Sequence, residues 1–141
     1  MLQLSTNLTI MTTNKFRNKK TVLYGIEFSS VLEASRYLEL RAMQGSGLIS
    51  NLVTQPVITL LSNFTTQNEK GKKFKVRPLT YIADFSYTEN GKEIIEDAKG
   101  VETEVFKIKR KLFMAMYRDK VFRKSYKKNG VILTEDRQYA E

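Results

Sequence analysis

Among its 141 residues the chain has no cysteine and no histidine. The first absence excludes disulfides, zinc–thiolate sites and thiol nucleophiles. The second removes the commonest general base and the commonest metal ligand. Any catalysis must then rest on carboxylates, lysines and hydroxyls, with or without a hard, oxygen-preferring metal. A chain without cysteine is compatible with a reducing cytoplasm, where we expect this one to work. No apolar run approaches the roughly 18 residues of a membrane span, so no membrane partner is expected. The opening M-L-Q-L-S-T-N-L-T-I-M-T-T-N has neither a basic start nor a continuous apolar stretch. It reads as a loose tail over 1–14 and not as a signal peptide, ahead of a single domain over 15–141.

What is present is basic. Lys and Arg number 24 against 15 Asp and Glu, a net charge of +9. Such proteins tend to meet polyanions, nucleic acid above all. A hydrophobic fraction of 41%, with eight Phe and seven Tyr, fits a folded globular core.

Periodicity divides the chain. T-V-L-Y-G-I-E-F (21–28) alternates like a short strand or hairpin with Gly25 near its turn. S-S-V-L-E-A-S-R-Y-L-E-L-R-A-M-Q predicts a helix of about four turns, with Ser30 and Glu33 as a capping box and Gly45-Ser46-Gly47 at its end. L-V-T-Q-P-V-I-T-L-L (52–61) reads as a strand whose Pro56 marks an edge or bulge. Residues 62–76 are polar and lysine-rich and read as a flexible loop. Strands are expected at 77–88 and 91–99, and a long amphipathic helix over 103–124, with Val105, Ile108, Leu112 and Met116 facing the core. A last strand follows in K-N-G-V-I-L-T-E-D. Helix, three strands, helix, strand predicts an α/β fold with a mixed sheet.

Asp97 and Lys99, two apart on one predicted strand, leave by the same face. Alone they would read as an ordinary surface ion pair. Asn90-Gly91 changes this, because a two-residue type I′ turn fixes the register of the flanking strands. Glu89 then faces Lys92, Tyr87 faces Ile94, and Asp84 falls opposite Asp97 with β-carbons about 5 Å apart. Like charges so placed repel, and need a shared proton, a neighbouring cation or a divalent metal; the metal is the most economical answer.

Asp84, the short turn, and Asp97-Ala98-Lys99 in A-D-F…E-D-A-K-G, followed by the basic helix K-I-K-R-K-L-F, resemble the PD-(D/E)XK nuclease superfamily. The wording is similar to small phage-encoded members, to archaeal Holliday-junction resolvases and to the endonuclease subunit of some transposases. The likeness spans about residues 20–120. It implies a restriction-endonuclease-like sandwich, a central mixed sheet flanked by helices. Asp84 and Asp97 would be metal ligands, the Ala98 carbonyl a further one, and Lys99 the residue that positions the attacking water and offsets phosphate charge. Glu33 would be the acid on the early helix, a role that stands beside its capping one. The cofactor implied is Mg²⁺ or Mn²⁺. Two departures stand out: position 97 is Asp where many members have Glu, and Ala83 replaces the proline before Asp84.

Lys107, Lys109, Arg110 and Lys111 would contact DNA, and Gln55 would line the cleft. The activity expected is a metal-dependent DNA endonuclease of phage recombination or replication, acting on branched DNA, as a homodimer, in the cytoplasm of the bacterial host. A non-catalytic basic nucleic-acid-binding module on the same fold is the alternative. A protein-interaction factor with incidental charge is a third reading.

Overall fold

The computed structural model describes residues 9–13 and 19–141. β1 (Thr9–Thr13), β2 (Lys19–Leu23) and β3 (Ile26–Phe28) form a small antiparallel sheet. The stretch expected to be a loose tail therefore holds a strand, because the edge of β2 supplies Val22 and Thr21 as partners for Thr9 and Ile10. Most of the basic segment 14–20 lies outside the described residues. α1 (Val31–Gly45) begins as the capping residue predicts, with the Glu33 N–H donating to Ser30 Oγ at 3.1 Å.

The next region is one long, twice-interrupted ribbon. Its outgoing strands are β4 (Ser50–Thr54), β5 (Val57–Leu61) and β6 (Phe64–Gln67). Its returning strands are β7 (Lys73–Val76), β8 (Leu79–Ile82) and β9 (Phe85–Glu89). β6 pairs with β7, β5 with β8 and β4 with β9, all antiparallel. The single strands expected at 52–61 and 77–88 are thus each broken in two, and the loop expected at 62–76 is a hairpin. Gln55, at φ 52°, and Pro56, which has no N–H to donate, interrupt the outgoing strand.

β10 (Lys92–Ala98), α2 (Glu104–Met116), β11 (Val121–Lys128) and β12 (Val131–Arg137) complete the chain. The helix expected over 103–124 stops at Met116, because Val121–Lys128 finds an open edge of β10 and pairs with it in parallel. Among the described residues the fold is mixed α/β, with two helices and a central five-stranded sheet ordered β12-β11-β10-β9-β4. Asn90-Gly91 and Asn129-Gly130 both have positive φ at both positions and close the two flanking hairpins.

Neighbouring residues of the central strands go to opposite cores. Ile94 and Val121 join Leu23, Phe28, Tyr37 and Leu40 on the α1 side. Ile95 and Phe122 join Leu60, Tyr81, Phe106 and Phe113 on the α2 side. In α2 the buried line is Phe106, Arg110 and Phe113, not the expected one: Val105, Ile108 and Met116 are more than half exposed. One position is a 100° rotation, and the two phenyl rings carry more burial than the aliphatic stripe. Arg110 tolerates this line because Glu102 takes its guanidinium in two bonds, 2.9 and 3.1 Å, over the Phe106 ring.

A buried ion pair ties α1 to the sheet. Glu96, fully buried, accepts from Arg36 Nε at 2.7 Å and Nη2 at 3.0 Å, and from the Tyr87 hydroxyl. Burial works against the Arg36 charge, but the bonds to Glu96 outweigh it and raise the pKa. Glu96→Ala strands that guanidinium, and we expect a loss of about 3–5 kcal/mol in urea denaturation. The double change Arg36→Met with Glu96→Leu should recover most of it; an equal loss in both variants would contradict this account.

Candidate functional site

The site begins at the bend in the ribbon. The Gln55 N–H donates to the Asp84 carbonyl at 2.9 Å and the Ala83 N–H to the Pro56 carbonyl at 3.2 Å, so both strands break at one level. Below the bend, β9 and β10 keep the register the Asn90-Gly91 turn demands, from Glu89 with Lys92 to Phe85 with Glu96. Asp84 is the next residue, its N–H donating to the Glu96 carbonyl at 3.1 Å. It sits beside Asp97 at the point where its own strand turns away.

The two carboxyl groups meet. Burial first, then the hydrogen bond to Asp97, the Asp97 charge and that of Glu33 push Asp84 up to about 10, against the pull of the Ala98 N–H. That N–H donates to Asp84 Oδ2 at 2.7 Å. The N–H and C=O of one strand residue leave by the same edge, so the Ala98 carbonyl lies on the Asp84 side. Asp97 is 3% exposed. Its Oδ2 accepts from the Tyr81 hydroxyl at 2.5 Å, and its Oδ1 lies 3.7 Å from Lys99 Nζ. Lys99 stands over the Phe106 ring at 5.1 Å and keeps a third of its side chain exposed. Burial and the Asp97 charge hold Tyr81 well above its ordinary pKa, as a neutral donor.

Sequence reasoning missed Tyr81. On an unbroken strand residues 81 and 84 would point to opposite faces. The break at 83–84 changes the parity and brings Tyr81 to the aspartates, a displacement no local pattern announces.

Glu33 is buried at the first turn of α1. Only half of the expected capping box forms: its carboxylate accepts from Ser29 Oγ at 2.5 Å and not from the Ser30 N–H. Glu33 and Ser29 share with Ala98, Lys99, Gly100 and Thr103 the wall of a cleft of about 560 Å³. Gln55 lies outside that cleft. It is exposed, lines a neighbouring hollow with Lys20 and Glu27, and reaches the Glu27 carbonyl at 3.4 Å, so its backbone contact with Asp84 is its link to the site. Among the described residues no three carboxylates converge as a metal-binding group.

Glu96 gives the contrast. It is as buried as Asp97, but two bonds from Arg36 and one from Tyr87 saturate it. Asp97 has one hydroxyl, one distant lysine and another carboxyl group. Adjacent acids on opposite faces thus divide into one that is saturated by donors and one that is not.

The expected basic helix is divided too. Arg110 is 6% exposed and bound to Glu102, which also takes Lys124 at 2.9 Å. Those bonds hold the Glu102 carboxyl down to about 2. Arg110 is therefore removed from the predicted DNA-contacting set: its charge is spent inside the fold. Lys107 pairs with Glu104 at 3.3 Å on the surface, Lys109 is half-buried and Lys111 is exposed.

Fold and site together define a mixed α/β protein in which the buried Asp97 meets the half-buried Asp84, with Lys99 in the wall of a cleft. The chain belongs to the DUF1064 family, described as a protein of unknown function, whose model matches residues 13–130. No curated protein matches it. It is similar to the solved structure of SSO0001 at 18% identity and a TM-score of 0.40, over 74% of this chain and 50% of that one. The chain thus spans about half the length of that protein.

The raised pKa has a consequence for folding. Asp84 keeps its proton in the fold and gives it up near pH 4 when unfolded, so its contribution is present below that value and is lost as pH rises toward about 10. Asp84→Asn, which retains an acceptor for the Ala98 N–H, should therefore unfold at a higher temperature than wild type at pH 8 without divalent ions. At pH 4 the two should converge. Thermal denaturation across that range checks this, and a gap independent of pH would count against it.

Proposed function

We propose that the protein is a metal-dependent DNA endonuclease with the restriction-endonuclease-like sandwich that the PD-(D/E)XK resemblance implies. One observation carries the reading: the Asp84 and Asp97 carboxyl groups lie close enough to act on each other, with Lys99 next to Asp97. The donors there are carboxylates and a backbone carbonyl, hard oxygens that suit Mg²⁺ or Mn²⁺. Asp84, Asp97 and the Ala98 carbonyl would hold the ion, with Glu33 reaching it directly or through water. When bound, the ion lowers the pKa of a coordinated water and offsets charge on the phosphoryl oxygens.

The chain's own groups supply the rest. Tyr81 fixes the orientation of Asp97 by its hydroxyl. Lys99, steadied over Phe106, aligns the attacking water and meets the phosphate. Lys107 and Lys111 on the exposed side of α2 add phosphate contacts that carry no sequence information. With the resemblance goes the setting we propose: recombination or replication of phage DNA in a bacterial cytoplasm, by a homodimer matching the two-fold character of a four-way junction.

A second reading, a non-catalytic DNA-binding module, draws on the lack of a three-carboxylate group among the described residues. Labelled linear and four-way DNA, incubated with and without Mg²⁺ or Mn²⁺, separates the two. The endonuclease cuts only with the ion, and Asp97→Asn or Lys99→Ala slows cutting roughly 100-fold or more while binding persists. Salt-sensitive binding without cutting under any condition would establish the module instead. Independently, Mn²⁺ should raise the melting temperature of wild type but not of Asp97→Asn.

A further inference from the structure

The far end of the bent ribbon takes no part in either core. All four residues of β6 and the first three of β7 are exposed. Yet the tip is built to hold its shape. Asn68 Oδ1 accepts from the N–H groups of Lys70 and Lys72, both at 3.0 Å, and Gly71, at φ 80°, donates to the Asn68 carbonyl at 3.0 Å. Order without burial suits a surface that presents itself to something else.

Its chemistry is two-sided. Phe64 pairs with Val76 and Thr66 with Phe74, so both phenylalanines share one face. Thr65 pairs with Lys75 and Gln67 with Lys73, which puts two lysines on the other. Phe64 and Phe74 are 47% and 44% exposed. Residues 69–77 hold Lys70, Lys72, Lys73, Lys75 and Arg77 against Glu69 alone. On the body of the protein, by contrast, Arg36, Arg110, Arg123 and Lys124 are all matched to carboxylates. Among the described residues no ion pair includes a cation of the tip. Lys72 lies over the Phe74 ring at 5.2 Å.

We propose that the β6–β7 tip is a DNA-contacting arm: its lysines bind the phosphate backbone, and Phe64 and Phe74 stack on bases exposed where a duplex is interrupted. A two-stranded ribbon is narrow enough to enter the major groove, and aromatic side chains stack on unpaired bases of any identity. The local excess of charge selects a polyanion over a second protein as the occupant. The inference rests on the DNA-directed reading above and extends it from where DNA is cut to how an interruption is found. The arm is continuous with the site, since β8, one register below the tip, carries Tyr81.

Fluorescence polarisation in EDTA, with a labelled duplex and the same duplex interrupted by a gap, tests this on the full chain. The four-lysine variant, Lys70→Ala with Lys72→Ala, Lys73→Ala and Lys75→Ala, should bind both DNAs more weakly. Its slope of log affinity against log salt should fall by about 3 to 4. Phe64→Ala with Phe74→Ala should lose roughly fivefold or more on gapped DNA and leave duplex binding unchanged. Both variants should keep the wild-type melting temperature, since the altered side chains are exposed.

Unchanged affinity and salt slope in both variants overturns the arm. So does a loss of self-association by ultracentrifugation with DNA binding intact, which would assign the face to a second copy. Cutting assays on the same samples separate the two proposals. Wild type that binds through the arm without cutting in Mg²⁺ or Mn²⁺ upholds the arm and overturns the endonuclease. Wild type that cuts, with arm variants binding normally, does the reverse.

Discussion

Two carboxyl groups held against each other, the buried Asp97 and the half-buried Asp84, are the constraint on which the candidate site depends. In a low-dielectric surrounding both cannot be ionised without a cation, so one keeps a proton or the pair takes a positive partner. The sheet offers partial relief: the Tyr81 hydroxyl and Lys99 for Asp97, the Ala98 N–H for Asp84. That relief is smaller than what Glu96 receives one residue earlier, where a guanidinium and a phenol saturate the acid. A fold able to neutralise Glu96 so fully leaves the aspartates under-compensated, and this imbalance is the physical basis of the site.

The bent ribbon is what makes the imbalance possible. Had β4–β5 and β8–β9 run straight, Asp84 would have been one more cross-strand residue, with Tyr81 on the far side of the sheet. Breaking both strands at Gln55-Pro56 and Ala83-Asp84 releases Asp84 from regular pairing and folds Leu60 and Tyr81 over the α2 core. The basic tip beyond it stays exposed and joins neither core.

Charge is also sorted by position. The net of +9 hides a division between cations consumed in structural pairs and cations left exposed. Arg36, Arg110 and Arg123 belong to the first group: Arg36 fastens α1 to β10, Arg110 reaches β11 through the Glu102 it shares with Lys124, and Arg123 ties β11 to β12. The lysines of the tip belong to the second. Planar guanidinium groups, with their fixed forks of donors, suit buried carboxylates, while lysines keep their hydration at the surface. A tally of basic residues along a helix cannot separate the groups, which is why Arg110 looked like a surface residue in the sequence.

Local chemistry alone determined the start of α1 at Ser30, the Asn90-Gly91 turn and, through that turn, the register that sets Asp84 beside Asp97. Each depends on residues a few positions apart, where backbone geometry leaves little choice. Tertiary structure decided what distant partners control: that 121–128 leaves the helical pattern to pair with β10, that α2 turns Phe106 and Phe113 inward, that 62–76 is a hairpin, and that Tyr81 reaches Asp97. In each case the deciding energy comes from an edge, a ring or a carboxylate supplied by another part of the chain, and no local window contains it.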